Sequence, residues 1–325
     1  RTRATRDVQE ARLERWCREL PPLLDRFRDS DGRPFRHTYF FPAEQYDEGL
    51  LERLAAHCHA GWGETEVHLH HGVQSPDTSA STRAMLVGFR DQLARHGLLC
   101  SWQGDGRPRY AFVHGNWALA NSSGGRFCGV DDELAILAET GCYADFTLPS
   151  APDPAQVPTV NSLYECTRPL TERAAHRRGR HLRVGRAPVT FPLIMQGPLA
   201  LDFSRGGVRA VVPRIENSEV SAKRPITTRR LGIWRRAGIS VRARPDWVFI
   251  KLHCHGMDAR DLDQMLGAGR VASLEALRAF AGETGDALHF VTAREMVNIA
   301  LAACDGRDGS PNDFRDYRLT LLRAA

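Results

Sequence analysis

Short runs rich in β-branched and aromatic residues alternate with segments of helical period along most of this chain, and that alternation limits the fold more than any other feature. From residue 7 to 28, Val8, Leu13, Trp16, Leu20, Leu23, Leu24 and Phe27 recur at helical spacing, and Pro21-Pro22 is expected to kink or divide the helix. A turn cluster at 29–34 leads to a strand at 37–42, a helix at 46–59 and a strand at 64–71. The pattern continues with a helix at 79–96, a strand at 110–114, a helix at 131–140 and a strand at 143–148. After residue 245 come a strand at 246–255, a helix at 273–284, a strand at 287–292 and a helix from 293. Strands separated by helices imply parallel, right-handed βαβ units covered by helices. So many units in 325 residues predict an α/β fold, a distorted (β/α) barrel of about seven parallel strands. No G-x-G-x-x-G follows any of these strands, so a dinucleotide-binding fold has no support.

Residues 151–245 break the rhythm. Thr190–Met195 and Leu199–Phe203 read as short strands, Ser204-Arg-Gly-Gly as a hairpin turn, and Val208–Val212 as the returning strand. The chain therefore divides into a first part of the barrel (1–150), a partly β insertion with a hairpin (151–245), and the final barrel strands and helices (246–325). The insertion holds 18 Arg and Lys against six Asp and Glu in a chain of net charge +5, so the rest of the molecule is net acidic. A basic segment on an acidic body suggests an anionic partner, although Lys223 and Lys251 are the only lysines, and such an arginine excess is also what a GC-rich genome produces.

The eight cysteines are scattered with no C-x-x-C pair, which argues against a zinc ribbon or thioredoxin-like motif and points to a reducing, cytoplasmic compartment. No apolar run approaches the roughly 18 residues needed to cross a bilayer. The opening Arg-Thr-Arg-Ala-Thr-Arg-Asp lacks the apolar core of a signal peptide, and a soluble chain without a transmembrane segment is expected.

In a (β/α) barrel, side chains alternate between interior and helix layer, and active sites form at the C-terminal strand ends. Applied to Glu66-Val-His-Leu-His70, alternation sends Val67 and Leu69 to the helices and Glu66, His68 and His70 inward. Likewise Lys251, His253 and His255 point inward on 248–255, and Asp145 shares a side with Tyr143 and Thr147. With His114 at the end of its own strand, four strand ends converge on one mouth. Packing has no use for so many ionisable groups, because burying them unpaired costs several kcal/mol each. Two imidazoles two residues apart plus a carboxylate make an adequate divalent-metal set, zinc foremost, with His68 and His70 the candidate ligands and His71 not separable by spacing. His37, His57, His59, His96, His176, His181 and His289 read as hydrogen-bonded structural residues.

The order of these motifs resembles the polysaccharide deacetylase superfamily, the NodB-homology group. His37-Thr-Tyr-Phe-Phe-Pro-Ala-Glu44 is similar to its second strand, 50–63 to the helix after it, and Glu66–His71 to its metal-binding histidine motif. Tyr110–Trp117 lies where the family has an arginine- and proline-bearing loop, and Gly141–Thr147 at an Asp-bearing motif. Phe249–His253 resembles the I-x-L-x-H strand, and Phe290-Val-Thr-Ala-Arg-Glu-Met the closing segment. The resemblance spans about residues 7–150 and 246–300. It implies metal-assisted removal of an acyl group, N-acetyl foremost, from a sugar or saccharide-containing substrate. By resemblance His253 is the general acid, with His255 as substitute, and Asp145 orients it or binds the metal. His114, Asn116, Trp117 and Lys251 would bind substrate, which the arginines of 151–245 suggest is anionic. Departures are equally specific. The family's second metal-binding His has no direct counterpart, its place falling to His68, His71 or Asp77; His114-Gly-Asn-Trp117 replaces Arg-Pro-Pro-Tyr; and the first strand with its Asp-Asp motif is expected before Asp7.

Two rival readings are an amidohydrolase- or PHP-like metal hydrolase and a non-catalytic, deacetylase-like glycan-binding protein. A strand precedes the His-x-His here, which disfavours the former. Nucleic acid is not an expected partner, because the arginine-rich segment carries few interleaved aromatics.

Overall fold

The computed structural model describes residues 4–203 and 213–322. Helix α1 (Arg6–Leu24) runs through Pro21 and Pro22 without dividing, the Pro21 carbonyl still accepting from Asp25 N–H at 2.9 Å. Strand β1 (His37–Pro42) and helix α2 (Glu48–His57) follow, the latter capped by Asp47, whose side chain accepts from Leu50 N–H. Then come β2 (Gly63–Leu69), α3 (Ser79–Arg95), β3 (Cys100–Trp102), β4 (Tyr110–His114), α4 (Glu133–Thr140) and β5 (Cys142–Asp145). Strands β6 (Leu163–Cys166), β7 (Gly179–His181), β8 (Leu193–Met195), β9 (Ala200–Asp202) and β10 (Arg214–Glu216) occupy the middle of the chain. Helices α5 (Thr228–Ala237), α6 (Leu262–Leu266), α7 (Ala268–Thr284) and α8 (Ala293–Cys304) and strand β11 (Leu319–Leu321) complete it.

Seven strands form one sheet in the order β1-β2-β4-β5-β8-β6-β7, parallel from β1 through β8 and antiparallel where β6 joins β8 and β7. The α/β class is as expected, but the barrel does not close. The runs 246–255 and 287–292, expected as the last barrel strands, form no described strand; the first makes a single bridge, His253 to Glu219, rather than a ladder. Residues 151–245, set apart in the sequence as an insertion, supply β6, β7 and β8 to the main sheet, while β9 pairs antiparallel with β10. The expected turn at Ser204-Arg-Gly-Gly and the returning Val208–Val212 lie outside the described residues. Among the described residues, no helix is long and apolar enough to cross a membrane.

Period-2 alternation decides which side of the sheet each residue serves. Val67, Leu69, Tyr110 and Phe112 bury with Leu54, Leu86, Phe89, Leu93, Leu134 and Leu137 of α2, α3 and α4. Ala111, Leu193 and Met195 bury on the other face with Trp247, Phe249 and the α8 residues Val297, Ala300 and Leu301. Between β4 and β5 the register slips, Tyr110 facing Cys142 but Ala111 facing Ala144, so Tyr143 is an extra residue. Tyr143 and Ala144 consequently bury in the same cluster, and Asp145 comes into register with Phe112. That shift overturns the simple alternation that put Tyr143 and Asp145 on one side. A third cluster joins Trp16, Leu20 and Leu24 of α1 to Leu231 and Trp234 of α5 and Leu274 of α7.

Candidate metal centre

The pairing of β2 with β4 sets Leu69 beside His114, so the residues just beyond β2 meet the end of β4. There the chain turns at Gly72, whose φ of +60° and whose Cα, lying where a Cβ would come within 2.2 Å of the Cys128 carbonyl oxygen, admit only glycine. Asp77 N–H donates to that same carbonyl at 2.8 Å, which locks the 71–77 turn onto the loop carrying Cys128. Glu133, the first residue of α4, projects from the adjoining helix start.

These elements bring His71, His114, Cys128 and Glu133 together, all buried, with one donor atom from each lying within 4.8 Å of the others. Glu133 stands at the centre. Its Oε1 is 2.9 Å from His71 Nε2 and 3.5 Å from His114 Nε2, and its Oε2 is 3.6 Å from Cys128 Sγ and accepts from Ala120 N–H at 2.6 Å. His71 Nδ1 is 3.2 Å from Asp77 Oδ2, and Thr82 Oγ1–H donates to the same carboxylate oxygen at 3.3 Å. His114 Nδ1 is bonded to the Gly115 carbonyl oxygen, which fixes its proton on that nitrogen, and its buried Nε2 has no hydrogen-bond partner. Each imidazole thus has its Nδ1 engaged by an oxygen acceptor and its Nε2 turned toward the group, the arrangement by which outer partners orient metal-ligating histidines.

The donor chemistry fits a divalent ion. Two imidazole nitrogens, a thiol sulfur and a carboxylate oxygen are a zinc-type set, and a tetrahedral ion requires ligand atoms roughly 3.5 Å apart. The separations within the group, from 2.9 Å up to 4.8 Å, bracket that spacing. Burial alone raises Glu133, yet the charges of His114 and His71 and the Ala120 N–H bring it down to about 2. Burial lowers His71, but the hydrogen bond and charge of Glu133, with Asp77, outweigh it and leave it raised. His114 is pushed down to about 4, chiefly by burial, and burial followed by the Glu133 charge raises the Cys128 thiol.

The connection from β4 to α4 is strained. Asn116, Trp117, Ala120, Asn121 and Phe127 all have φ between +47° and +62°, a left-handed region disfavoured for residues with a Cβ. Such conformations cost about 1–3 kcal/mol each and persist where surrounding structure over-determines them, typically at functional sites.

Of the residues expected from the sequence, His71 and His114 belong to this group and the others do not. His68 and His70, the expected ligands, are outside it. His68 Nδ1 bonds the Val113 carbonyl oxygen at 2.9 Å, and burial lowers its pKa to about 4. His70 Nδ1 lies 2.6 Å from Glu44 Oε1, and its ring lies against Gly115, where a Cβ would come within 2.3 Å of it. Asp145 is buried, accepts from Thr147 Oγ1–H at 2.7 Å and is pushed up to about 7, chiefly by burial. Lys251, expected to face substrate or pair with Glu66, instead donates to the carbonyl oxygens of Phe146 and Leu148 at 2.7 and 2.6 Å; burial brings it down to about 8, against the opposing charge of Asp145. Glu66 bonds Tyr143 Oη–H and Ala111 N–H. His253 is pushed down to about 3 by burial and then by the charges of Lys251, His255, Arg224 and Arg230, while His255 is exposed. Asn116 and Trp117 sit on the strained loop, and Trp117 is 41% exposed. The sequence reading left His71 open, assigned His114 to substrate and missed Cys128 and Glu133.

Part of the basic charge of 151–245 is neutralised by ion pairs, while Arg173, Arg177, Arg178, Arg183, Arg236 and Arg242 are exposed. Arg180 pairs with Glu165, Arg224 with Glu219, Arg229 with Asp202 and Arg230 with Glu216. Among the histidines expected to be structural, His37, His57, His59, His181 and His289 are hydrogen-bonded, to Arg270, Tyr39, the His96 carbonyl, Ser162 and Asp31 respectively. His176 is different: it is fully buried and neither ring nitrogen has a partner. No family model, no curated protein and no solved structure matches this chain.

Proposed function

We propose that this protein is a metal-dependent hydrolase that removes an acyl group, N-acetyl foremost, from a sugar or saccharide-containing substrate. One observation carries the reading: at the C-terminal ends of two adjacent parallel strands, where α/β sheets hold their ligands, two imidazoles with engaged Nδ1 atoms converge on a thiol and a carboxylate. A divalent ion, zinc foremost, held by His71, His114, Cys128 and Glu133 would supply Lewis-acid chemistry toward a carbonyl or water once one of the four gave up its place. The chain's own residues supply the proton chemistry. His70, anchored through Nδ1 by Glu44 on the rim, keeps Nε2 for proton transfer to a leaving amine. Asp145, titrating near neutrality, holds or releases a proton close to Lys251. The exposed indole of Trp117 offers a face for a sugar ring. The acyl-sugar substrate itself rests on the order of sequence motifs.

A second reading is favoured by the ligand count. Four buried protein donors complete a tetrahedral shell, as in structural zinc sites, and a site so closed fits a glycan-binding protein without catalysis. Metal content, acetate release from N-acetylated chitooligosaccharides and saccharide binding, measured on one preparation, separate the two. Stoichiometric zinc with acetate release that His70→Ala abolishes while retaining zinc supports the hydrolase. Zinc and saccharide binding without acetate release support the binding protein. Purified protein that neither contains nor takes up metal overturns both.

A further inference from the structure

His176 is fully buried, yet Nδ1 and Nε2 both lack a hydrogen-bond partner. Buried imidazoles in folded proteins almost always have at least one nitrogen satisfied. The charged groups acting on its ring include Glu133 and His114, two members of the metal group, together with Arg177. Its backbone is tied to the same loop. Ala174, left-handed at φ +50°, donates its N–H to the Ala120 carbonyl at 2.7 Å, while Ala120 N–H donates to Glu133 Oε2 at 2.6 Å. Arg173 Nε–H donates to the Asn121 carbonyl at 2.8 Å, and Tyr164 Oη–H donates to the carbonyl of His176 at 2.6 Å. Ala175 packs in the apolar cluster that holds Cys128, Ala118, Leu119 and Ala120. The backbone just before His176 is therefore fixed against the metal loop, its own carbonyl is held by β6, and its ring, which is not one of the four converging donors, has no partner.

We propose that His176 is a third imidazole ligand of the ion held at His71, His114 and Cys128, exchanging with the Glu133 carboxylate when metal is loaded. The inference rests on the metal centre described above and extends it. Three imidazoles and a thiolate would then hold the ion, and Glu133, keeping its hydrogen bond from Ala120 N–H, would be left as a proton acceptor. A neutral imidazole with no competing partner is ready to ligate, since metal binding displaces no hydrogen bond from it.

Cobalt(II) tests this without reference to activity. Metal-free protein, its His176→Ala and His176→Gln variants, and His71→Ala are titrated with Co²⁺, following the visible d–d bands, the thiolate-to-cobalt charge-transfer band, affinity by chelator competition and the metal-induced rise in Tm. Wild type is expected to bind one Co²⁺ with the charge-transfer band. Both His176 variants should keep that band but bind at least tenfold more weakly, with altered d–d bands. If they match wild type in affinity and spectrum while His71→Ala loses the ion, His176 is not a ligand. If wild type itself binds no Co²⁺, the metal centre falls and this inference with it. Should His176→Ala not fold, His176→Gln, which preserves bulk and polarity, gives the deciding comparison.

Discussion

His71 and His114 lie on different segments yet aim their Nε2 atoms at the same carboxylate oxygen, Glu133 Oε1, at 2.9 and 3.5 Å. The shorter contact is a hydrogen bond and the longer one is not, so the His114 nitrogen remains unsatisfied although fully buried. A buried polar atom left without a partner is costly in a folded chain.

Removing either convergent imidazole should therefore empty the site. His71→Ala and His114→Ala are expected to lose stoichiometric zinc by elemental analysis, whereas His70→Ala and His68→Ala should keep it. Zinc retained in the first pair, or lost equally in all four, would place the ion elsewhere.

The Asp77 carboxylate acts on the group through His71, while its backbone N–H binds the Cys128 carbonyl oxygen. Asp77→Asn preserves shape but removes the charge that steadies the imidazole, and zinc affinity should fall about 10–100-fold. Competition with a chromophoric chelator measures this; an unchanged dissociation constant would mean that Asp77 is only a turn residue.

Glu66 gives a pH signature away from the metal. Burial raises its pKa from 4.5 to about 8 despite the hydrogen bonds from Tyr143 and Ala111. Between those values the folded state holds a proton that the unfolded chain releases, so stability falls as pH rises, by about 1.4 kcal/mol per pH unit from this group. Glu66→Gln should remove that slope in urea denaturation between pH 5 and 8, becoming relatively more stable at the alkaline end. Parallel pH profiles for variant and wild type would count against it.

Arg294 of α8 binds Glu64 of β2 through two hydrogen bonds at 2.8 and 3.1 Å and also donates to the Leu319 carbonyl, joining sheet, helix and C-terminal strand inside the core. Arg294→Met leaves the Glu64 carboxylate buried alone and should cost about 3–5 kcal/mol of unfolding free energy. Adding Glu64→Gln should recover part of it. A loss below about 1 kcal/mol would show the pair to be solvated.

Much of the scaffold was legible because it depends on local pattern. Strands β1, β2, β4 and β5 and the helices between them follow from apolar periodicity, which every residue reports independently. The barrel was not, because closure requires partners for 246–255 and 287–292 across the molecule, and no local signal says whether a ladder will form. The site failed for a related reason. Two residues in alternation predict a shared face, as His68 and His70 share one, but metal binding requires donor atoms to converge at a point. His71 and His114 converge through the β2–β4 register, and Cys128 and Glu133 join them through the packing of the Cys128 carbonyl against Gly72 and of α4 against the sheet. In the sequence Cys128 reads as a small apolar residue and Glu133 as a favourable charge on a helix's first turn. Periodicity along the chain thus determined the strands, the helices and which strand ends carry histidine. Only the tertiary structure decided which of those histidines meet a thiol and a carboxylate, because convergence within a few ångströms depends on register and backbone contact between segments far apart in sequence.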